Sequence, residues 1–447
     1  MSGRQLHHHM HRVSREARAL ALMGCAFVLG ACQTKTSEGL PSPVFEAAAN
    51  VASVHAQHRR LPEDDIWWSV NGEDMSWNFR NLHQLFPTVN VYRGGRVRTL
   101  TPAPMPDIGK YVVDVAGTRI TFDEFLESEH STATGVIVLH QGLVVFERYP
   151  RMQDYEMPVF WSVAKVFVGT LVRILEERGE LDVSAPIERY LPRLAGSSLA
   201  GVPVRDLLDM ASGLDCADEY EDRTSCYYRY SMAIGDGFRT ADAPDNPYDF
   251  AATLETSRHA PPGEVFSYSG LNTFVLAWLV EEITGMPFQD ALSRELWYRM
   301  GAEANASYIA PRYGIAVTHG GFLARLRDVA RFGLLFTPSY GVVSDERLIS
   351  PEHLALLLHG GRPRLRTNAG LPGADMSGVR HNVYQWDAVL ANDTLFKGGW
   401  AGQGLIINPT WDVVAAFTGY FKDDDHSEEA LAPILLRLLD DVFGSAE

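Results

Sequence analysis

Two stretches near opposite ends of the chain have the pattern of β-strands, and much of the chain between them repeats with a helical period. Residues 134–139 and 143–147 are rich in β-branched residues and flank His140-Gln141-Gly142, which predicts a hairpin. Residues 404–407 and 413–417, joined across Asn408-Pro409-Thr410, predict a second one. Between the hairpins, apolar residues recur at helical spacing over 166–178, closed by Gly179, and over 271–283, closed by Thr284-Gly285. A further amphipathic run covers 322–336, and 429–443 predicts a C-terminal helix able to pack on the sheet. Strands at both ends with helices between them predict an α+β fold: an antiparallel sheet flanked by helices, with an inserted, mostly helical region.

Ahead of that body the pattern changes. Arg12, Arg15 and Arg18 precede an apolar run over 19–31, shorter than the roughly 20 residues that a membrane helix needs. Residues 1–31 therefore predict a signal peptide. The run ends in Leu29-Gly30-Ala31-Cys32, which resembles the lipobox of bacterial lipoproteins. That resemblance implies cleavage before Cys32, a lipid on its thiol, and a membrane-anchored protein on the periplasmic side; plain secretion leaves Cys32 unmodified. Residues 32–60 predict a polar linker. Residues 61–125, with Trp67-Trp68, Trp77 and the closely spaced Pro102, Pro104 and Pro106, predict an extension packed on the main domain without a core of its own. The main domain is expected over 126–447, with its sheet part at about 126–150 and 390–447 and its helical part at about 151–389.

Charge narrows the partners. The 447-residue chain carries a formal net charge of −17, which excludes a nucleic-acid partner in the absence of a basic surface. Cys25 leaves with the signal; Cys216 and Cys226, ten apart in a polar loop, are a candidate disulfide in an exported protein, with two reduced thiols as the alternative. Neither has a histidine or second cysteine at ligand spacing, so no metal or other cofactor is implied.

The chemistry concentrates at Ser162-Val163-Ala164-Lys165. Of 39 basic residues only Lys35, Lys110, Lys165, Lys397 and Lys422 are lysines, and Ser162 alone among the serines has a lysine three positions on. Arginine keeps its proton in proteins, whereas a buried lysine can release one. Ser162 is thus a candidate nucleophile and Lys165 its base, although the pair alone reads equally as a helix-opening serine and a surface lysine. Downstream, Tyr268 sits on a loop before a buried helix, and Lys397-Gly398-Gly399 lead into the second hairpin. His140 and His319 read as turn or packing residues, because no Ser-His-Asp pattern is visible.

In that order, Ser162-x-x-Lys165, Tyr268-Ser269-Gly270 and Lys397-Gly398-Gly399 resemble the three motifs of the serine β-lactamase and penicillin-binding-protein superfamily. Arg205-Asp206-Leu207-Leu208 through Ser212-Gly213-Leu214, and Gly320-Gly321 through Asp328-Val329-Ala330-Arg331-Phe332-Gly333, resemble its class C branch. The aromatic extension looks most like the subgroup of 6-aminohexanoate-dimer hydrolase and related esterases. The resemblance implies a β-lactamase/DD-peptidase-like fold and a serine hydrolase that cleaves a small-molecule amide or ester through an acyl-enzyme on Ser162. Lys165 would deprotonate Ser162 directly or through a Tyr268 phenolate, and Tyr268 would protonate the leaving group. The backbone N–H groups of Ser162 and Trp400 would form the oxyanion hole. Lys397 would bind or polarise substrate, often a carboxylate, in an electropositive pocket with Lys165.

Two departures bear on substrate. Gly270 stands where the β-lactamase motif has asparagine, with Asn272 as a candidate replacement, and Gly398 stands where that family has a hydroxyl residue. Both point away from efficient β-lactam hydrolysis. A peptidoglycan D,D-carboxypeptidase or β-lactamase remains the alternative enzyme, and a penicillin-recognising lipoprotein without turnover the alternative outside catalysis.

Overall fold

A computed structural model describes residues 70–365 and 378–444, together with Ala52. The expected signal peptide, lipobox Cys32, linker and first part of the extension lie outside these residues. Among the described residues, no helix is long and apolar enough to cross a membrane.

The main sheet has eight strands in the order Thr101–Pro102, Leu143–Arg148, Gly135–His140, Val413–Thr418, Gln403–Asn408, Leu395–Gly399, Trp386–Leu390 and Val379–Val383. Every neighbouring pair is antiparallel except the first, where Thr101–Pro102 runs parallel to Leu143 and Val144. Both expected hairpins are present, and they meet because Val413–Thr418 pairs with Gly135–His140 along its full length. Period-two alternation sends successive residues to opposite faces. Ile137, Leu139, Leu405, Ile407, Val414 and Ala416 enter one core; Val136, Val138, Ile406, Val413, Ala415 and Phe417 enter the other. With both faces covered, apolar residues are favoured at every strand position, which is why the strands read as continuous apolar runs. Helix Leu431–Leu439 and helix Phe122–Glu127 cover the second face.

The sheet begins earlier than expected. Val379–Val383 and Trp386–Leu390 are strands within the stretch assigned to the helical part, so that boundary moves from about 390 to 379. Their mixed composition (His381, Asn382 and Asp387 among apolar residues) hides the strand pattern, and these polar side chains are buried and hydrogen-bonded.

The helical region holds Ala164–Glu177 and Gly270–Thr284, both close to expectation. The amphipathic run at 322–336 is helical only over Leu326–Leu334. Its first residues, Phe322–Leu323, form a strand in a small sheet with Thr88–Val91 and Ala306–Ile309. The Phe322 carbonyl there accepts the N–H of Phe160 at 2.8 Å, while the Val159 N–H donates to the Phe79 carbonyl at 2.9 Å. The helix Gly72–Leu85 packs Met75, Phe79 and Leu82 into the main core. These two anchors, one from the N-terminal segment and one from the small sheet, hold the chain just before Ser162.

Candidate active site

Ser162 sits in a 3-10 turn, Trp161–Val163, that opens the helix Ala164–Glu177. Trp161 adopts φ of +42°, a left-handed conformation that costs a bulky side chain about 1–3 kcal/mol. Packing holds it there: its ring lies edge-on to Phe79 at 5.4 Å and to Trp400 at 5.8 Å. Opposite, Gly399 must lack a side chain, since a Cβ there would fall 2.5 Å from the Phe160 carbonyl oxygen. The strand carrying Gly398 and Gly399 is thereby seated directly on the nucleophile turn.

One turn of helix brings Lys165 Nζ to 3.0 Å from Ser162 Oγ. The lysine is 1% exposed and donates also to the His319 carbonyl at 2.7 Å. Burial is the main force lowering its pKa, helped by the Lys397 cation and opposed by the Asp218, Asp387 and Asp236 carboxylates; the result is about 8. The Tyr268 phenol is hydrogen-bonded to Ser162 and lies between the two lysines, each with Nζ 4.8 Å from its ring centre. Burial, then the Asp387 and Asp218 carboxylates, push that phenol well above its ordinary pKa, so Tyr268 carries its proton.

Ser162, Lys165, Tyr268, Gly398, Gly399 and Trp400 line one cavity of about 610 Å³, mostly apolar, with Trp161, Phe417, Tyr420 and Phe421 among its walls. Lys397 stands just behind it. Its Nζ donates to Tyr268 Oη at 2.8 Å and to Asp387 Oδ1 at 2.5 Å, and the residue is fully buried.

Two expectations change. Asn272 does not join the site; its helix turns the amide inward, where it donates to Met210 Sδ at 3.9 Å. Nor does the space at Gly270 admit the missing asparagine, because a Cβ there would meet Tyr227 Oη at 2.5 Å and His319 Cδ2 at 2.8 Å. The pocket is not electropositive either: Lys397 is matched by Asp387, and Asp218 and Asp236 also line the cavity.

Residues that the sequence did not assign to the site complete it. Asp218 donates its N–H to the Tyr268 carbonyl at 2.9 Å and accepts the Gly270 N–H at 2.6 Å, fixing the tyrosine loop from below. His319 does have a carboxylate partner: Nε2 lies 2.8 Å from Asp236 Oδ2 and Nδ1 lies 2.9 Å from Tyr230 Oη. This buried network holds the carbonyl that receives Lys165. The loop carrying Asp218 and Tyr220 is closed by a Cys216–Cys226 disulfide. Ser269 Oγ adds a 2.6 Å bond to the Cys216 carbonyl. Opening the ring in a Cys216→Ser/Cys226→Ser variant is expected to cost about 2–3 kcal/mol of stability, read as a lowered Tm. Activity should fall further than stability, because the loop braces Tyr268.

With this geometry in hand, the comparisons with known proteins converge. The sequence profile described as Beta-lactamase matches residues 119–435, most of the chain. The chain belongs to the beta-lactamase family. It is a serine hydrolase of that superfamily, whose relatives include amide and ester hydrolases. The beta-lactamase-family protein is 29% identical over 352 residues to 6-aminohexanoate-dimer hydrolase of Paenarthrobacter ureafaciens, spanning 78% of this chain and 86% of that one. It is 32% identical over 188 residues to esterase EstB of Burkholderia gladioli, spanning 38% and 46% of the two chains. A solved structure from Bacillus anthracis, provisionally named a 6-aminohexanoate-dimer hydrolase, shares the fold with a TM-score of 0.68 at 22% identity. That match spans 83% of this chain and 93% of the other.

Proposed function

We propose that this protein hydrolyses esters or simple amides of small molecules through an acyl-enzyme on Ser162. The observation that carries this reading is Lys165, buried, 3.0 Å from Ser162 Oγ and, among the described residues, with no carboxylate in hydrogen-bond contact. As a neutral amine it can donate one N–H to the His319 carbonyl and offer its lone pair to the serine hydroxyl. Ser162 Oγ then attacks the acyl carbonyl while its proton passes to Lys165, and the N–H groups of Ser162 and Trp400 receive the oxyanion. Tyr268 protonates the departing alcohol or amine, its phenolate being held by the Lys397 ammonium. Water enters by the reverse route and releases the acid.

The similarity to 6-aminohexanoate-dimer hydrolase and to esterase EstB makes that dimer and short p-nitrophenyl esters the first substrates to try, with nitrocefin and a D-Ala-D-Ala peptide as contrasts. The filled space at Gly270 favours the first two. We further propose that the protein works outside the cytoplasm, tethered through Cys32. The disulfide supports such a compartment, where cysteine pairs persist.

The test is covalent labelling. A fluorophosphonate probe should add one adduct to the folded wild type, mapped by mass spectrometry to the peptide holding Ser162, and none to Ser162→Ala. A wild type that is folded yet unlabelled overturns the reading.

A further inference from the structure

The third motif's lysine is expected to meet a carboxylate of the substrate, and here it already has one from the protein. Asp387 uses both of its oxygens: Oδ1 accepts from Lys397 Nζ at 2.5 Å and Oδ2 accepts the Gly398 N–H at 3.0 Å. Two donors on two oxygens is the arrangement of an ionised carboxylate, which can only accept. Lys397 spends a second of its three N–H bonds on Tyr268 Oη. Asp387 reaches this place by strand register. Ala388 pairs with Phe396, so one step further Asp387 lies opposite Lys397. Both residues are buried, yet Asp387 also lines the cavity, so a substrate group brought toward Lys397 comes up against this carboxylate.

The rest of the cavity has the same sign. Asp218, Asp236, Glu428 and Glu429 line it as well, Lys165 is the only lysine or arginine among its described lining residues, and the Lys165 amine already serves Ser162 and the His319 carbonyl. An anionic group entering near the scissile bond would meet like charge in a low-dielectric wall, with no unengaged lysine or arginine among the described lining residues to receive it.

We propose that Asp387 is a specificity-determining residue: an internal carboxylate that occupies the place a substrate carboxylate would take at Lys397, so that the site accepts acyl donors with an uncharged leaving side and refuses those with a carboxylate next to the scissile bond. This rests on Ser162 being the nucleophile. It places β-lactams and D-Ala-D-Ala peptides, which bear that carboxylate, among the refused substrates. An amide whose carboxylate lies several methylenes away is not refused.

Two thioesters that differ in a single group test it: hippuryl thioglycolate, with a carboxylate beside the leaving sulfur, and its methyl ester. The wild type should favour the methyl ester by about tenfold or more in kcat/KM, the scale of discrimination set by one unpaired charge. In Asp387→Asn, which keeps shape and removes charge, the preference should shrink by about fivefold or more, mainly through KM for the acid. Damage to packing would lower both substrates together and leave the ratio unchanged. Equal use of the two thioesters by the wild type, whether or not the variant folds, or an unchanged ratio in a folded Asp387→Asn, overturns the proposal. Fluorophosphonate labelling of Ser162 in the same samples separates this failure from failure of the nucleophile assignment.

Discussion

Ser162→Ala should lose about 10⁴-fold or more in kcat/KM against every acyl donor tested, since removing the nucleophile leaves only binding and oxyanion stabilisation. The fold should tolerate the change. Ser162 is half-buried in a short turn whose shape is set by Trp161, by the Val159 and Phe160 backbone bonds and by the close approach of Gly399, and none of these uses the hydroxyl. A Tm close to that of the wild type together with the lost rate is the expected pair of results. A Ser162→Ala protein that still turned over esters at more than about a hundredth of the wild-type rate would transfer the chemistry to another group.

The second large effect concerns Lys165 and pH. A base must be neutral to accept a proton, and burial brings this lysine to about 8. Below that value the ammonium predominates and Ser162 keeps its hydrogen; above it the free amine predominates. The kcat/KM profile should therefore rise with pH, with a midpoint near 8, and level off on the alkaline side. Tyr268 does not produce this limb, because its phenol is held well above its ordinary pKa. Lys165→Arg places a group that does not deprotonate beside the serine. The rate should fall by about 10³-fold or more and the alkaline rise should vanish. Arginine is also the larger residue in a buried position, so Lys165→Met, of similar length and no charge, serves as the control for packing. A wild-type profile flat from about pH 6 to about pH 9 would assign the proton to another acceptor.

What could be read from the residues depended on how far apart in the chain the partners lie. Ser162 and Lys165 are one helical turn apart, so their meeting follows from local geometry alone. Tyr268 and Lys397 carry no local signal; motif order pointed to them through the family resemblance, and the structure brings Tyr268 beside the serine with Lys397 behind it. The resemblance then misled at Lys397, because it implies a cation open to substrate, while the lysine's partner in the structure lies on the neighbouring strand. Asp387 was within reach of a register argument, had 386–390 been read as a strand facing 395–399. Its burial among Trp386, Ala388 and Val389 masks the alternation that would have marked it. Asn272 failed for a different reason. Two positions along a helix is a rotation of about 200°, enough to turn a side chain from the cavity to the core. Asp218, Asp236 and His319 come from loops and turns, where spacing encodes little and tertiary contacts decide.

The strand Val413–Thr418 lies between Gly135–His140 and Gln403–Asn408, and it is the last strand among the described residues. While the chain is being made, the serine turn therefore emerges long before the wall it needs. Ser162 and Lys165 come first, Tyr268 next and the glycines of the third motif last, and the two hairpins cannot join until residues near 418 are free to pair. A folding order dominated by such distant contacts is slow. A chain ending before that strand would lack the pairing that joins the two hairpins, so the reactive serine is expected to gain its tyrosine and glycine wall only after residues near 418 have been made.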